Sequence, residues 1–254
     1  MFTQAGFEAT MKYWNMFVEG LVCTVSLSFF TVIFGFILAL VLALMRMSNF
    51  CPLRFLGYNA RLDSIRGRIA RFRPLNFIAA IYVEVFRATP LLVQLFIVYY
   101  VLLADLKLPM FKMFGFIRFE RFVPGVIALS LNSGAYLSEI IRSGIQSIEL
   151  GQTEAARSLG MSQGQNMRYI VLPQAIKNIL PAIANEFVTI IKESAICYTI
   201  GVQEIMSAVN SVKAATFRIS EALVIAAAVY FCLTFPTSKI IAYFERRMSR
   251  GDKR

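Results

Sequence analysis

Five long apolar stretches alternate with polar ones along the chain, and charged residues are rare within them. Each stretch is near or above the roughly 20 residues that an α-helix needs to cross a bilayer core. The stretches are continuous, which is typical of spanning helices and not of alternating β-barrel strands. The pattern predicts an all-α, polytopic membrane protein. Its single transmembrane domain covers 1–254, with five spans at about 20–45, 75–104, 122–141, 176–202 and 222–244.

Composition points to the same class of protein. Of the 254 residues, 57% are hydrophobic and 13% aromatic, and the mean hydropathy of +0.63 lies outside the range of ordinary soluble domains. The first stretch is longer than the ~7–15 apolar residues of a signal peptide, so we expect it to stay in the membrane. The four cysteines stand singly and are predicted to be packing residues. Histidine is absent, which removes the commonest metal ligand, and no metal site is predicted.

The basic residues are distributed unequally between the two sides of the predicted membrane. The connections at 46–74 and 142–177 and the tail at 239–254 carry seventeen, against seven in the alternate set. The positive-inside rule then places the N-terminus outside and the C-terminus in the cytoplasm. Because the excess of the +11 net charge lies beside span ends, we expect anionic lipid and not nucleic acid as its partner. In the first basic loop, Leu62, Ile65, Ile69 and Phe72 predict an interfacial amphipathic helix.

The third connection, at about 147–175, is predicted to be cytoplasmic and too long for a simple turn. The spans on either side leave more than thirty residues, whereas helix–helix connections usually take ~2–8. Residues 153–159 predict a short helix that Gly160 ends in the left-handed conformation. A Ser162–Gln165 capping box then starts a second helix over 162–170, which Pro173 is expected to stop.

The first of these short helices carries an acidic residue and two small ones. Glu154 is predicted to lie in its first turn, where the helix dipole favours a carboxylate. Ala155 and Ala156 leave a flat surface that another body could approach closely. Physical reasoning alone leaves two interpretations open, a contact surface for a partner or a solvated helical hairpin with ordinary caps.

Ionisable residues occur inside the second predicted span, where they are costly and normally face a bundle interior or a wet cavity. Glu84 and Arg87 lie three residues apart on one helix face, with Gln94 one heptad beyond Arg87. Thr89 and Pro90 between them are expected to loosen the helix. Two alternatives stay open here, a structural ion pair of Glu84 with Arg87 or a lining for a polar pathway.

The third and fourth predicted spans also carry charged residues. Asn185, Glu186 and Lys192 lie within the fourth span, and the same two alternatives apply to them. Glu139 lies at the cytoplasmic end of the third span near Arg142, and we expect these two to pair structurally.

The third connection contains a recognisable pattern: E-A-A, three residues, G, nine residues and I-x-L-P. In order along the chain stand EGLVCTVSLSF, YVEVFRATPLLVQL, LSLNSGAYLSEIIRSGIQSIELGQTEAARSLG, LPQAIKNILPAIANEFVTIIKESA and IGVQEI. The chain resembles the membrane subunits of binding-protein-dependent ABC importers over nearly its full length. Within them it is similar to the polar amino-acid permeases, which include the histidine and glutamine permeases.

The resemblance implies a type I ABC importer permease fold with a cytoplasmic coupling helix, which inserts into a cleft of a separate ATPase subunit. That role falls on Glu154, Ala155, Ala156, Gly160, Ile170, Leu172 and Pro173. A central substrate site is implied between the second, third and fourth spans, with pathway candidates Glu84, Arg87, Thr89, Gln94, Asn185, Glu186 and Lys192. The chain has no G-x-x-x-x-G-K-[ST] segment to hold ATP phosphates, so ATP and its hydrolysis are expected on the partner, with no catalytic residue or cofactor here.

The expected function is import of a polar amino acid across a bacterial cytoplasmic membrane. The implied partners are an ABC ATPase subunit, an extracytoplasmic solute-binding protein and a second identical or related permease subunit. A permease for another small solute, such as an osmolyte or a short peptide, is the alternative within transport. A membrane enzyme and a non-transporting scaffold are the alternatives outside it. The segments FRATP and KESAI depart from the usual family sequences, so the resemblance leaves the particular amino acid open.

Overall fold

The computed structural model describes residues 3–48, 50–52 and 72–249. Its helices are α1 (Gln4–Met11), α2 (Trp14–Met47), α3 (Pro74–Ala88), α4 (Leu91–Ile97), α5 (Phe119–Gln146), α6 (Leu150–Ser158), α7 (Gln163–Asn166), α8 (Leu172–Glu193), α9 (Ile205–Thr216) and α10 (Ser220–Ser249). Strands β1 (Lys112–Met113) and β2 (Ile117–Arg118) pair antiparallel. Leu62, Ile65 and Ile69 of the predicted amphipathic helix lie outside the described residues.

The described part of the chain is almost entirely helical, and long apolar helices occupy the predicted spans. By length and hydropathy, α2 and α10 can each cross a membrane, and α3 with α4 and the turn after it can form a third, bent span. Helices α5 and α8 have 28 and 22 residues, and at 1.5 Å per residue they extend about 42 and 33 Å. Both carry more polar and charged residues than α2. The predicted all-α membrane fold is confirmed.

Helix α5 is the central element, because α2, α3, α4 and α8 all pack against it. One core cluster joins α2, α4 and α5 through buried Leu27, Leu95 and Leu129. A second lies between α2, α9 and α10, and a third between α2, α5 and the start of α8. Cys23 and Cys197 belong to the first cluster, as packing residues should, whereas Cys232 is exposed on α10.

Helix α10 differs from α5 in having little of its surface covered. Over an apolar stretch of 18 residues in this helix, only 6% of the residues are buried. Phe231, Phe235, Ile240 and Phe244 along it are all about half exposed. Within the described chain, α10 contacts α8, α9, α1 and α2, and the rest of its surface is left for lipid or another subunit.

The second apolar stretch is not one straight helix, which corrects the prediction of a continuous span over 75–104. Helix α3 ends at Ala88, α4 begins at Leu91, and their axes bend by 112°. Thr89 and Pro90 between them have extended backbone angles. Pro90 has no N–H to continue the helix and disfavours helical geometry at Thr89, so the predicted loosening is a complete break.

The fourth apolar stretch also changes geometry before its predicted end at 202. Helix α8 ends at Glu193, and a 3₁₀ helix, Ser194–Ile200, follows. Gly201 then ends this segment with a left-handed φ of 84°. The apolar composition continues through both types of helix, which is why hydropathy alone did not locate the change.

Candidate functional site

The cytoplasmic connection folds into a sharp helical corner, formed by α6, the turn at Gly160 and α7. Gly160 has a φ of 82°, which only a residue without Cβ adopts freely. The Gly160 N–H donates to the Arg157 carbonyl at 2.9 Å, and the Met161 N–H donates to the Ala156 carbonyl at 3.1 Å. These two bonds form a Schellman motif, and the predicted glycine end of the helix is confirmed.

The second helix of the corner starts with the predicted capping box. The Gln165 N–H donates to Ser162 Oγ at 3.3 Å, and the Ser162 N–H donates to Gln165 Oε1 at 2.8 Å. Because both bonds join residues three apart, the local sequence is sufficient to specify them. The Ser162–Gln165 prediction is therefore confirmed.

The position of Glu154 within its helix was predicted wrongly. Helix α6 begins at Leu150, with Glu149 as its N-cap, so Glu154 is its fifth residue and lies beyond the first turn. The predicted start at 153 was therefore three residues late. The first residue, Leu150, is 79% exposed, so it does not belong to an inward-facing apolar pattern that would have marked the first turn. Glu154 and Ala155 are exposed, whereas Ala156 is only 4% exposed and packs inward.

The expectation that Pro173 stops the second helix is also wrong. A π-helical turn, Met167–Val171, follows α7 and leads directly into α8, where Pro173 occupies the first turn. Proline is tolerated there because the first N–H groups of an α-helix have no acceptor within it. Ile170 is half-buried, and Leu172 and Pro173 are exposed. The corner is thus continuous with a membrane helix.

Side-chain hydrogen bonds join the two helices of the corner to each other, the corner to α8, and α8 to the end of α5. Asn166 Nδ2 donates to Thr153 Oγ1 at 3.2 Å, and Gln174 Nε2 donates to Gln152 Oε1. Farther along α8, Asn178 Nδ2 donates to Ser147 Oγ at 3.0 Å. These three bonds join residues 13 to 31 positions apart, and sequence reasoning had no local signal for them.

Inside the membrane, the break between α3 and α4 is closed by a buried polar cluster. Gln94 is 6% exposed, and its Nε2 donates to the carbonyl of Phe86 at 2.8 Å and to the carbonyl and hydroxyl of Thr89 at 3.0 and 2.9 Å. Asn132 on α5 donates from Nδ2 to Gln94 Oε1 at 2.9 Å. The amide of Gln94 therefore supplies the donor that the Phe86 carbonyl loses at Pro90.

This cluster changes the predicted grouping of Gln94 with Glu84 and Arg87. Gln94 lies on α4 beyond the 112° bend, so it does not continue the face of α3. Glu84 and Arg87 are both exposed, and in the described part of the chain no salt bridge joins them. The guanidinium of Arg87 instead lies 5.6 Å from the ring centre of Tyr136 on α5.

The polar residues of α8 lie on two different surfaces. Glu186 is half-buried, and its Oε1 accepts from Ser133 Oγ on α5 at 3.2 Å. Asn185 is exposed and lines a cavity of about 620 Å³ between α8 and α10, together with Lys177 and Glu245. Lys192 is exposed near the end of α8. The seven pathway candidates therefore do not converge on one pocket within this chain.

The predicted pairing of Glu139 with Arg142 is confirmed and extended. Arg142 Nε donates to both carboxylate oxygens of Glu139, at 3.0 and 3.1 Å. Arg46 at the end of α2 adds a second cation, with its Nη2 3.8 Å from Glu139 Oε2. This triad fastens α2 to α5 at the predicted cytoplasmic boundary.

A buried carboxylate that sequence reasoning missed lies at the N-terminus of α9. Glu204 is 1% exposed and accepts from the N–H groups of Met206 and Ser207, both at 2.9 Å. The hydroxyl of Tyr230 on α10 donates to it at 2.8 Å. Burial raises the pKa of Glu204 to about 7, although these three hydrogen bonds oppose the rise. Glutamate is an uncommon N-cap residue, which is why the segment IGVQEI gave no warning.

Comparison with known proteins gives concordant results. Residues 64–250 match the family described as the inner membrane component of binding-protein-dependent transport systems. The chain is 39% identical over 246 residues to the arginine transport system permease protein ArtQ of Bacillus subtilis, covering 97% of this chain and 98% of that one. It is 36% identical over 231 residues to the putative glutamine transport system permease protein GlnP of Rickettsia typhi, covering 91% and 92%.

A solved structure shows that the similarity extends to the whole fold. The crystal structure of an amino acid ABC transporter with histidines contains a chain that matches at a TM-score of 0.78 and 40% sequence identity. The match covers 97% of this chain and 100% of the other. The chain therefore belongs to the family of inner-membrane permease components of binding-protein-dependent ABC transporters.

Proposed function

We propose that this permease imports a polar amino acid, driven by ATP hydrolysis on a separate ATPase subunit and supplied by an extracytoplasmic solute-binding protein. The observation that carries the proposal is full-length similarity to permeases named for arginine and glutamine transport. The family's dependence on binding proteins supports the proposed direction and partners. The chain itself would supply the route and the mechanical connection to the ATPase.

The helical corner supports this coupling role. Its outer surface carries exposed Glu154 and Ala155, and at its ends Leu150 and Leu159 are 79% and 84% exposed. Two exposed leucines flanking a short helix are suited to a protein contact. Since the corner continues into α8 through one π-helical turn, a displacement of α6 would move α8 with it. Ile170, Leu172 and Pro173 form that connection.

The route itself is proposed to lie between two permease subunits. Helix α10 leaves one side uncovered, and the cavity that Asn185 lines opens between α8 and α10. A two-fold pairing over this side would enclose a polar path that one copy leaves open. We place Glu84, Arg87, Asn185, Glu186 and Lys192 along it, and we assign Thr89 and Gln94 to holding the break in the second span.

Transport by the reconstituted complex tests the function. Proteoliposomes containing the permease and its ATPase, with the binding protein outside, should take up radiolabelled L-arginine or L-glutamine only when ATP is present inside. Glycine betaine and a dipeptide serve as control solutes for the osmolyte and peptide alternatives. ATP-dependent uptake of either control, with no uptake of any amino acid, would contradict the proposal.

The orientation of the chain needs a separate test, because it rests on the seventeen-to-seven asymmetry of basic residues. Met110 lies in the loop before α5 and Ser162 in the helical corner that follows α5, and both are exposed. An impermeant thiol reagent added to intact cells should label Met110→Cys and leave Ser162→Cys unlabelled. In inverted membrane vesicles the result should reverse, and labelling of Ser162→Cys from outside would overturn the orientation.

A further inference from the structure

A second cavity lies at the end of the molecule opposite the helical corner. It has a volume of about 750 Å³ and opens between the π-helical turn Val98–Leu102 that follows α4, the loop after that turn and the first residues of α5. The corner follows the other end of α5, about 42 Å away along that helix. In the proposed orientation, this cavity faces the compartment from which the solute arrives.

One carboxylate in this cavity lacks any partner in the described structure. Glu120 lines the cavity, and its Oε2 is buried without a hydrogen-bond partner. Described salt bridges do not include it either. A buried acceptor without a donor is uncommon in a folded protein and requires an explanation. Because Oε2 is itself shielded from solvent, a rotation of the Glu120 side chain toward the cavity would bring it to a cationic nitrogen bound there.

The same cavity also carries two cationic side chains and two aromatic rings. The Arg121 guanidinium lies 5.1 Å from the ring centre of Tyr99, and its Nη1 donates to the Ile200 carbonyl at 3.3 Å. A guanidinium has five N–H donors, so this bond leaves capacity for a carboxylate. Exposed Lys107 and the exposed ring of Tyr100 complete the polar and aromatic parts of the lining.

We infer that this outer cavity binds a free amino acid before it enters the membrane route. Glu120 would bind the ammonium, Arg121 and Lys107 the carboxylate, and the rings of Tyr99 and Tyr100 the side chain. A lysine or arginine side chain of the binding protein would use only Glu120, whereas the presence of both charge signs fits a zwitterion. The inference rests on the proposed function and adds to it an outer binding site on the permease itself.

Direct binding to the purified permease–ATPase complex, without the binding protein, tests the site. The probes are radiolabelled L-arginine, L-glutamine and agmatine, which is arginine without its carboxylate. Glu120→Gln keeps the shape of the side chain and should weaken binding of the transported amino acid about tenfold. Asp105→Asn removes a charge from the same loop outside the cavity and is the matched control, with no expected change.

A second variant separates binding from folding. Lys107 is exposed, so Lys107→Met should fold normally. If L-arginine is the transported solute, this change should weaken its binding and leave agmatine unaffected. Unchanged binding in both Glu120→Gln and Lys107→Met, or a wild-type complex that transports yet binds no amino acid directly, would overturn the outer site.

The cationic nitrogen that pairs with Glu120 could instead belong to a lysine or arginine of the binding protein. One further measurement distinguishes this source from a free amino acid. The concentration of loaded binding protein that half-maximally stimulates the ATPase should be the same for wild type and Glu120→Gln. A several-fold increase in that concentration, with direct amino-acid binding intact, would assign Glu120 to protein docking and overturn the inference. Absence of amino-acid uptake by the wild type would instead contradict the proposed function, so the two failures are distinguishable.

Discussion

The helical corner and the break in the second span are both sharp changes of chain direction, and they are stabilised in different ways. At the corner, bonds within a few residues of Gly160 and Ser162 fix the geometry. At the break, Gln94 reaches back to Phe86, and Asn132 reaches it from another helix. Water can satisfy backbone groups at the exposed corner, whereas the bilayer core offers none. The corner can therefore be specified locally, and the break needs tertiary partners.

Removing the side chain that closes the break should have the largest effect. Gln94→Leu removes the donor of the Phe86 and Thr89 carbonyls and the acceptor of Asn132 Nδ2, and the Phe86 carbonyl and Asn132 Nδ2 keep only the longer bond of 3.4 Å between them. Each buried polar group left unsatisfied costs ~1–3 kcal/mol, so we expect a loss of roughly 3–5 kcal/mol and little folded protein. Detergent-solubilised yield and melting temperature measure it. Gln163→Leu, at an exposed position, is the control. If Gln94→Leu melted at the same temperature as the wild type, the break would not need its tertiary partners.

Glu204 has both a local and a tertiary partner, since it caps its own helix and accepts from Tyr230 on α10. Because it is a carboxylic acid, the stability that it contributes should depend on pH. Its pKa is raised to about 7 from 4.5, so the unfolded chain loses this proton first as pH rises. Stability should fall between about pH 4.5 and 7 by about 3 kcal/mol and change no further above that range.

The measurement is chemical unfolding of the purified complex at pH 5 and pH 8, for wild type and Glu204→Gln. The variant should lose this part of the pH dependence, because glutamine does not titrate there. Glu8→Gln, an exposed acid on α1, is the control and should retain it. An equal pH slope in wild type and Glu204→Gln would show that burial does not perturb this carboxyl.

At the corner, a bulky residue in the left-handed position should cost less stability but interrupt coupling. Gly160→Val introduces strain of ~1–2 kcal/mol at a φ of 82° and should misdirect α6 relative to α7. We expect normal abundance with at least about tenfold lower ATP-dependent uptake. Gly151→Val is the matched control, because a Cβ there meets nothing within 4 Å and its φ is not positive. Equal uptake by both variants would remove the corner from coupling.

The smallest effect on stability is expected at Glu154. Because Glu154 is exposed and lies beyond the first turn of α6, Glu154→Lys should change the melting temperature by an amount equivalent to less than ~0.5 kcal/mol. Copurification with the ATPase should nevertheless decrease, since the charge reverses on the proposed contact surface. Lost stability with intact copurification would place Glu154 inside the corner's own structure.

The sequence was informative where structure depends on neighbours along the chain and uninformative where it depends on neighbours in space. Gly160 and the Ser162–Gln165 box were found because their partners are within a few residues. Pro90 correctly indicated a weakened helix, but the degree of bending depends on Gln94 and Asn132. An ion pair of Arg87 with Glu84 was one of two alternatives, and the contact of Arg87 with Tyr136 was not among them, because spacing within one helix gives no information about the helix opposite.

The π-helical turn Met167–Val171 sets the rotational phase between the corner and α8. A π-turn contains one residue more than the α-helical turn it replaces, so deleting one residue from it could restore a regular helix. Each residue of an α-helix advances by about 100°, and that deletion would rotate Asn185 and Glu186 about the α8 axis relative to α6. Substitutions in this turn should therefore be tolerated far better than single-residue insertions or deletions.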